Sequence, residues 1–254
     1  HLVALRGHEA IVRELLDVAV AQGLGEAVLG AKTNGGSTAL HYAASEGFEA
    51  AVRELLDVAV AQGLVEAVLG AKSGSGRTPL HSAAFEGHEA IVRELLDVAV
   101  AQGLGEAVLG AKGEYGRTAL HVAVVEGKEA AVHELLDVAV AQGLVEAVLG
   151  AKDNGGATAL HYAAYEGHEA IVRELLEFAV AQGQAEALLA AKDRDGDSAL
   201  HDAASQGHEA IVKALLDAAG QVGHKDAILK AENNNGKTAL DVAATEAIKQ
   251  MLRA

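Results

Sequence analysis

Residues 153–192 read DNGGATALHYAAYEGHEAIVRELLEFAVAQGQAEALLAAK, and the punctuation of this stretch decides the fold. Thr158 stands before Ala159-Leu160-His161 as a helix N-cap, its hydroxyl able to accept from a free amide of the first turn. That helix is short and ends at Gly167. A second helix starts near Glu169, with Ile171, Leu175 and Phe178 on one side and Val172, Leu176 and Ala179 on the next. A stripe this wide belongs to a helix sandwiched between neighbours, and it assigns Phe178 to the core. Glu169, Arg173 and Glu177 form the narrow wet edge, spaced so that opposite charges meet at i, i+4. Gly183 stops the helix. The segment after it carries apolar residues four apart, as Leu64 and Val68 do in an earlier copy, and predicts a third, short helix.

The stretch recurs. Ala-Leu-His stands at 39–41, 119–121, 159–161 and 199–201, with Pro-Leu-His at 79–81, always 40 apart; Ala239-Leu240-Asp241 continues the series. The chain 1–254 therefore reads as one array: a partial unit (1–32), five full units (33–72, 73–112, 113–152, 153–192, 193–232) and a short terminal unit (233–254). Three glycine series run through every copy: Gly36 to Gly236, Gly7 to Gly207 and Gly23 to Gly223. They mark a turn and two helix C′ positions, where positive φ is the natural reading. In the last unit Thr245-Glu246-Ala247-Ile248 lacks the Gln-Gly-His found between earlier helices. Lys249, Gln250 and Arg253 suit a cap that faces water. Because His1 leaves the first unit without its turn, the chain reads as a fragment.

Composition narrows the function classes. Half of the 254 residues are hydrophobic, which excludes a disordered chain. The longest apolar run is five residues, Ala187 to Ala191, against the roughly 20 of a membrane span. There is no Cys, hence no disulfide framework, thiolate metal site or thiol nucleophile. A net charge of −16 disfavours nucleic acid.

Thr-Ala-Leu-His, Ala-Ala and Gly-His-Glu-Ala-Ile-Val, in this order, resemble the ankyrin repeat, and Thr78-Pro79-Leu80-His81-Ser82-Ala83 matches its signature. The resemblance covers the full chain. It implies an all-α solenoid of stacked helix-turn-helix repeats with β-turn fingers, here with an added short third helix per repeat. The family period is about 33 residues; the additional seven fall after the second helix. Armadillo and HEAT solenoids have a period nearer 40, but they lack a Gly-containing turn before Thr-Ala-Leu-His. The resemblance further implies that the repeated histidine bonds within its own turn to the Thr hydroxyl and nearby backbone.

The chemical motifs yield to structural readings. His1, His41, His81, His121, His161 and His201 form a ladder, but helices about 8–10 Å apart cannot bring two imidazoles to one ion. His8, His88, His168 and His208 give way to Phe48 and Lys128 in other copies. Gly236-Lys237-Thr238 lacks the earlier Gly of a phosphate loop, with Ala231 in its place. Asp193, Asp195 and Asp197 lack the remaining ligands of a calcium loop, since Ala191 and Asp202 stand where acids should. No nucleophile, base and orienter come together. The expectation is no enzyme, no cofactor and no metal.

Variation between copies points to binding. The series 42, 82, 122, 162, 202 reads Tyr42, Ser82, Val122, Tyr162, Asp202. The series 45, 85, 125, 165, 205 reads Ser45, Phe85, Val125, Tyr165, Ser205. These positions lie three apart on one face of the first helix, while Leu40, Ala43 and Ala44 take the other. Asn34, Glu114 and Arg194, with Tyr115, vary in the finger. Five of the seven aromatics fall on this face or its finger, and aromatics dominate binding hot spots. The expectation is a monomeric, intracellular and cytoplasmic module binding a protein partner through the concave first-helix face and fingers. The alternative is a spacer, or an engineered consensus array with no specific partner; odd and even units share an 80-residue superperiod.

Overall fold

A computed structural model describes residues 9–253. His1, Gly7 and His8 lie outside the described residues. Backbone proximity divides the chain into two compact units, 1–138 and 139–254. Among the described residues every regular element is a helix.

In the first unit the first helices of successive repeats are Ala39–Glu46, Pro79–Glu86 and Ala119–Val125. The second helices are Glu9–Ala21, Glu49–Gln62, Glu89–Ala101 and Glu129–Ala141, and the short third helices are Gly25–Gly30, Val65–Leu69 and Gly105–Leu109. In the second unit, after Val145–Leu149, the order runs Ala159–Glu166, Glu169–Ala181, Ala185–Ala190, Ala199–Gln206, Glu209–Gln221, Lys225–Leu229, Ala239–Val242 and Glu246–Arg253. The three predicted helices per repeat are all present. Their glycine stops hold too: every positive-φ glycine falls in one of the three series read from the sequence.

Small side chains set the packing. Ala83 and Ala84, then Ala123 and Val124, are fully buried where Pro79–Glu86 meets Ala119–Val125. Ala163, Ala164, Ala203 and Ala204 repeat this between Ala159–Glu166 and Ala199–Gln206. Alanines and one valine, Val124, fill that face, and small side chains there let adjacent first helices pack against each other. The second helix supplies the bulk: Ile171, Val172, Leu175, Leu176 and Ala179 are buried. Phe178, assigned to the core by its spacing, is only half-buried, as Val58 and Val98 are at its position. That position lies at the border of the apolar stripe. The terminal helix buries Ile248 and Leu252 and exposes Arg253, as a cap should.

The histidine ladder reaches further than its own turn. In each capping box the hydroxyl of Thr78, Thr158 or Ser198 accepts from the third amide of the helix, and the imidazole returns the bond. Thr78 N–H donates to His81 Nδ1 at 3.3 Å, so the other nitrogen carries the proton. That Nε2–H lies 2.9 Å from the Arg117 carbonyl of the next finger. His41 reaches Arg77, His161 reaches Asp197 and His201 reaches Lys237 in the same way. Each ring thus caps one repeat and ties it to the next. Both ring nitrogens are occupied. His88 and His208 add a second tie, from Nε2 to the carbonyls of Ser45 and Tyr165, each at 3.0 Å. This tie explains two glycines: a Cβ on Gly47 or Gly167 would stand 2.8 or 2.7 Å from that imidazole.

Candidate functional site

The finger begins as a five-residue loop closed on itself. Ser73 N–H donates to Arg77 O, and Gly76 N–H to Ser73 O, both at 2.9 Å. Fingers also pair side by side, through Gly74 N–H to Gly35 O (2.7 Å) and Arg194 N–H to Gly155 O (2.8 Å). Below them runs a lysine series that periodicity alone did not single out. Lys32 Nζ donates to Lys72 O and Lys72 Nζ to Lys112 O, both at 2.9 Å, while Lys192 Nζ donates to Glu232 O at 2.6 Å. The fingers are therefore held rigidly over the first helices.

One finger departs from this pattern. Residues Glu114–Gly116 form a 3₁₀ turn, and Tyr115 takes φ 58, the sole positive φ at a non-glycine among the described residues. Such a conformation costs about 1 kcal/mol or more for a bulky side chain. It throws the ring outward, where Tyr115 is 64% exposed. The Arg117 guanidinium sits 5.7 Å from the Tyr115 ring centroid, and Arg77 sits 4.7 Å from that of Phe85. Arg77 also lies 3.8 Å from Glu114. Between these groups is a cavity of about 40 Å³, bordered by Val122 and Val125. Val122 is only 7% exposed, so it forms floor rather than the reachable anchor its series suggests. Val125, Ser82, Tyr42 and Ser45 are half-buried, and Asn34 is exposed.

The two arginines were not among the residues singled out from the sequence. They occupy the fifth finger position, which reads Ser37, Arg77, Arg117, Ala157, Asp197, Lys237. Its variation was as legible as that of the second position. The charge of Arg77 shows at His81, whose pKa is pushed down to about 4, first by burial and then by Arg77, Lys72 and His41. The bond to the Arg117 carbonyl opposes this without overcoming it.

In the second unit the finger beside position 202 carries acids, Asp193 and Asp197, where the first has Ser73 and Arg77. Tyr162 donates from its hydroxyl to Asp153 Oδ2 at 2.7 Å and is half-buried; Tyr165 is 49% exposed. One repeat later Asp202 replaces the tyrosine. Burial, followed by the charges of Asp193 and Asp197, raises its pKa to about 7. Arg194 and Ser205 are exposed, with Ser205 Oγ donating to the Asp202 carbonyl at 3.0 Å. Among the described residues no group of three or more His, Asp or Glu side chains is arranged to hold a metal ion. No described helix is long and apolar enough to cross a membrane.

The family model described as ankyrin repeats (3 copies) matches residues 1–61, 56–142, 136–227 and 178–254. Among solved structures, the ankyrin repeat domain of Bcl-3, a unique member of the IkappaB protein family, is similar at TM-score 0.80 and 27% identity. That match covers 100% of this chain and 97% of the Bcl-3 chain. The human ASB11 ankyrin repeat domain is similar at TM-score 0.66 and 26% identity, with 100% and 95% covered. No curated protein sequence matches the chain.

Proposed function

Because the chain belongs to the ankyrin repeat family, whose domains are generally protein–protein interaction modules, we propose that it is a non-catalytic module binding a protein partner through its fingers and first-helix face. The observation that carries this reading is Tyr115. A bulky residue held in a left-handed conformation, exposed and backed by a stacked arginine, costs stability and contributes nothing to the core. Such strain persists where it presents a side chain for use. Phe85, Tyr115 and the two arginines are the residue types that dominate interface energies. Rigid fingers keep the ordering cost of binding small.

Tyr165, with Tyr162 held by Asp153, offers a second anchor in the unit 139–254. Ser45, Ser82, Glu114, Arg194, Asp202 and Ser205 supply the polar surround, and no cofactor takes part. A spacer would need neither exposed anchor.

The test uses a partner identified by affinity capture and then purified. Phe85→Ala with Tyr115→Ala, and separately Tyr162→Ala with Tyr165→Ala, should each weaken its affinity by roughly tenfold or more. The melting transition should barely move. Unchanged affinity in both double variants overturns the assignment of this face.

A further inference from the structure

A different face carries a second site. In the first unit the outer edges of the second helices are laced by ion pairs between residues 41 apart. Arg13 binds Glu54 (Nε to Oε1, 2.8 Å), Arg53 lies 3.7 Å from Glu94, and Arg93 binds Glu134 through both ends of its guanidinium (Nε to Oε2, 2.9 Å). The corresponding partner of Arg173 would be residue 214, and residue 214 is Ala. Arg173 instead turns back along its own helix to Glu169 at 2.6 Å.

Two further truncations lie on the same helix. Position 218 is Ala where Val58, Val98 and Phe178 stand in other copies, and position 220 is Gly where they have Val60, Val100 and Val180. A groove of about 360 Å³, lined by Ala214 and Ala218 among others, lies between Glu169–Ala181 and Glu209–Gln221. Its floor is Leu176, Val180, Ala214 and Ala218, with Arg173 at one end. In the first unit the groove around Arg53 and Glu94 is smaller, about 210 Å³.

We propose that this groove docks an amphipathic helix of a partner protein, which presents a glutamate to Arg173 and, one turn later, a branched apolar side chain to Ala214 and Ala218. The chemistry of the occupant is written in the chain itself. Glu54 with Val58 and Glu94 with Val98 are the i, i+4 pairs that stand at this place in other repeats. Arg93 shows that the guanidinium has capacity, because it holds Glu89 and Glu134 at once. Glu177 and Asp217 line the same groove and repel a uniformly acidic helix. They select one with a Lys or Arg beside its apolar residue.

The test measures fluorescence anisotropy of a labelled, capped peptide of residues 89–101 carrying Asp97→Lys, titrated with the whole chain. Saturable binding is expected. It should weaken roughly tenfold with Arg173→Gln, as for loss of a charge-assisted bond, and equally with Glu94→Gln in the peptide. Combining the two should cost no more than either alone. Ala214→Glu with Ala218→Val fills the groove and should abolish binding while leaving the melting transition at or above that of the parent.

Absence of saturation by about 1 mM peptide overturns the proposal. So does binding that survives the filled groove, which would put the peptide elsewhere, for instance on the exposed Ile11 and Leu15. Tighter binding of a Glu94→Lys peptide would reverse the ligand's charge and overturn it as well. Phe85→Ala with Tyr115→Ala should leave this titration unchanged, which separates the groove from the finger site.

Discussion

The region around His81 and the region around Asp202 are built on the same backbone and differ in the sign of their charge. At the first, burial, with the charges of Arg77, Lys72 and His41 behind it, pushes the imidazole pKa down to about 4. At the second, Asp193 and Asp197 face a carboxyl already pressed by burial. The scaffold bonds are common to both: Thr78 to His81 and Ser198 to His201 close the same capping box, and each ring bonds the next finger. What changes is four of the five finger residues, 73–77 against 193–197, and the half-buried position after the histidine, Ser82 against Asp202. The capping ladder is thus constant while the charge beside the first helix varies.

The hardest way to break this comparison is to remove the part both regions share. His81→Leu leaves the Thr78 amide buried without its partner and removes one of the two bonds to the Arg117 carbonyl, which keeps that from Gly113 N–H. One orphaned buried group costs about 1–3 kcal/mol, so the variant should lose about 2 kcal/mol in urea unfolding. His201→Leu should cost a similar amount. A loss confined to one of them would mean that the ladder is not a common scaffold element.

The next prediction sharpens the contrast through pH. His81 has a folded pKa of about 4, below the ordinary 6.5, so the unfolded chain binds the proton first as pH falls. Its contribution is fully present above pH 6.5 and is lost as pH drops toward 4, by about 3 kcal/mol in total. His41 and His161 are lowered by burial as well and add to the same acid limb. Asp202 behaves oppositely. Its folded pKa of about 7 lies above the ordinary 3.8, so its contribution is present at acid pH and is lost as pH rises through 7. Water reaches part of this carboxyl, and screening brings the effect to about 2 kcal/mol. Asp202→Asn should therefore stabilise the chain at pH 8 and do little at pH 4, as read by denaturant midpoints. A gain equal at both pH values would show that burial of charge is not the cause.

Much of this architecture was legible in the sequence because local and repeated signals agreed. Thr158, Gly167 and Gly183 marked three boundaries within one unit, and the 40-residue period assigned the rest by translation. The first-helix face was legible as well, since Leu40, Ala43 and Ala44 stayed apolar while positions 42 and 45 varied. The hydrogen bond from His81 to the Arg117 carbonyl was not legible. It joins residues 36 apart, and nothing in the period says which atoms of adjacent copies meet. The ion pair of Arg93 with Glu134 was hidden for the same reason: i, i+4 spacing named Glu89 as its partner, and Glu89 is only one of two. Phe178 shows the limit of periodicity at the edge of a stripe, where a shift of a few tens of degrees decides between core and border.

The smallest expected effect bears most directly on function. Tyr115 pays conformational energy for its left-handed backbone, and glycine at that position would not. Tyr115→Gly should therefore raise stability by about 0.5–1 kcal/mol, the strain relieved less the entropy glycine adds to the unfolded chain. The same change removes the ring that stacks with Arg117 and should weaken partner binding. None of the equivalent residues Gly35, Ser75, Gly155, Asp195 and Asn235 takes a positive φ or carries a ring. Denaturant midpoints and partner affinity measured on one variant then read two quantities of opposite sign. If stability rises while affinity falls, the distorted finger is kept for binding at a cost to the fold. If stability falls, contacts of the Tyr115 ring outweigh its strain, and the finger belongs to the scaffold it shares with the rest of the array.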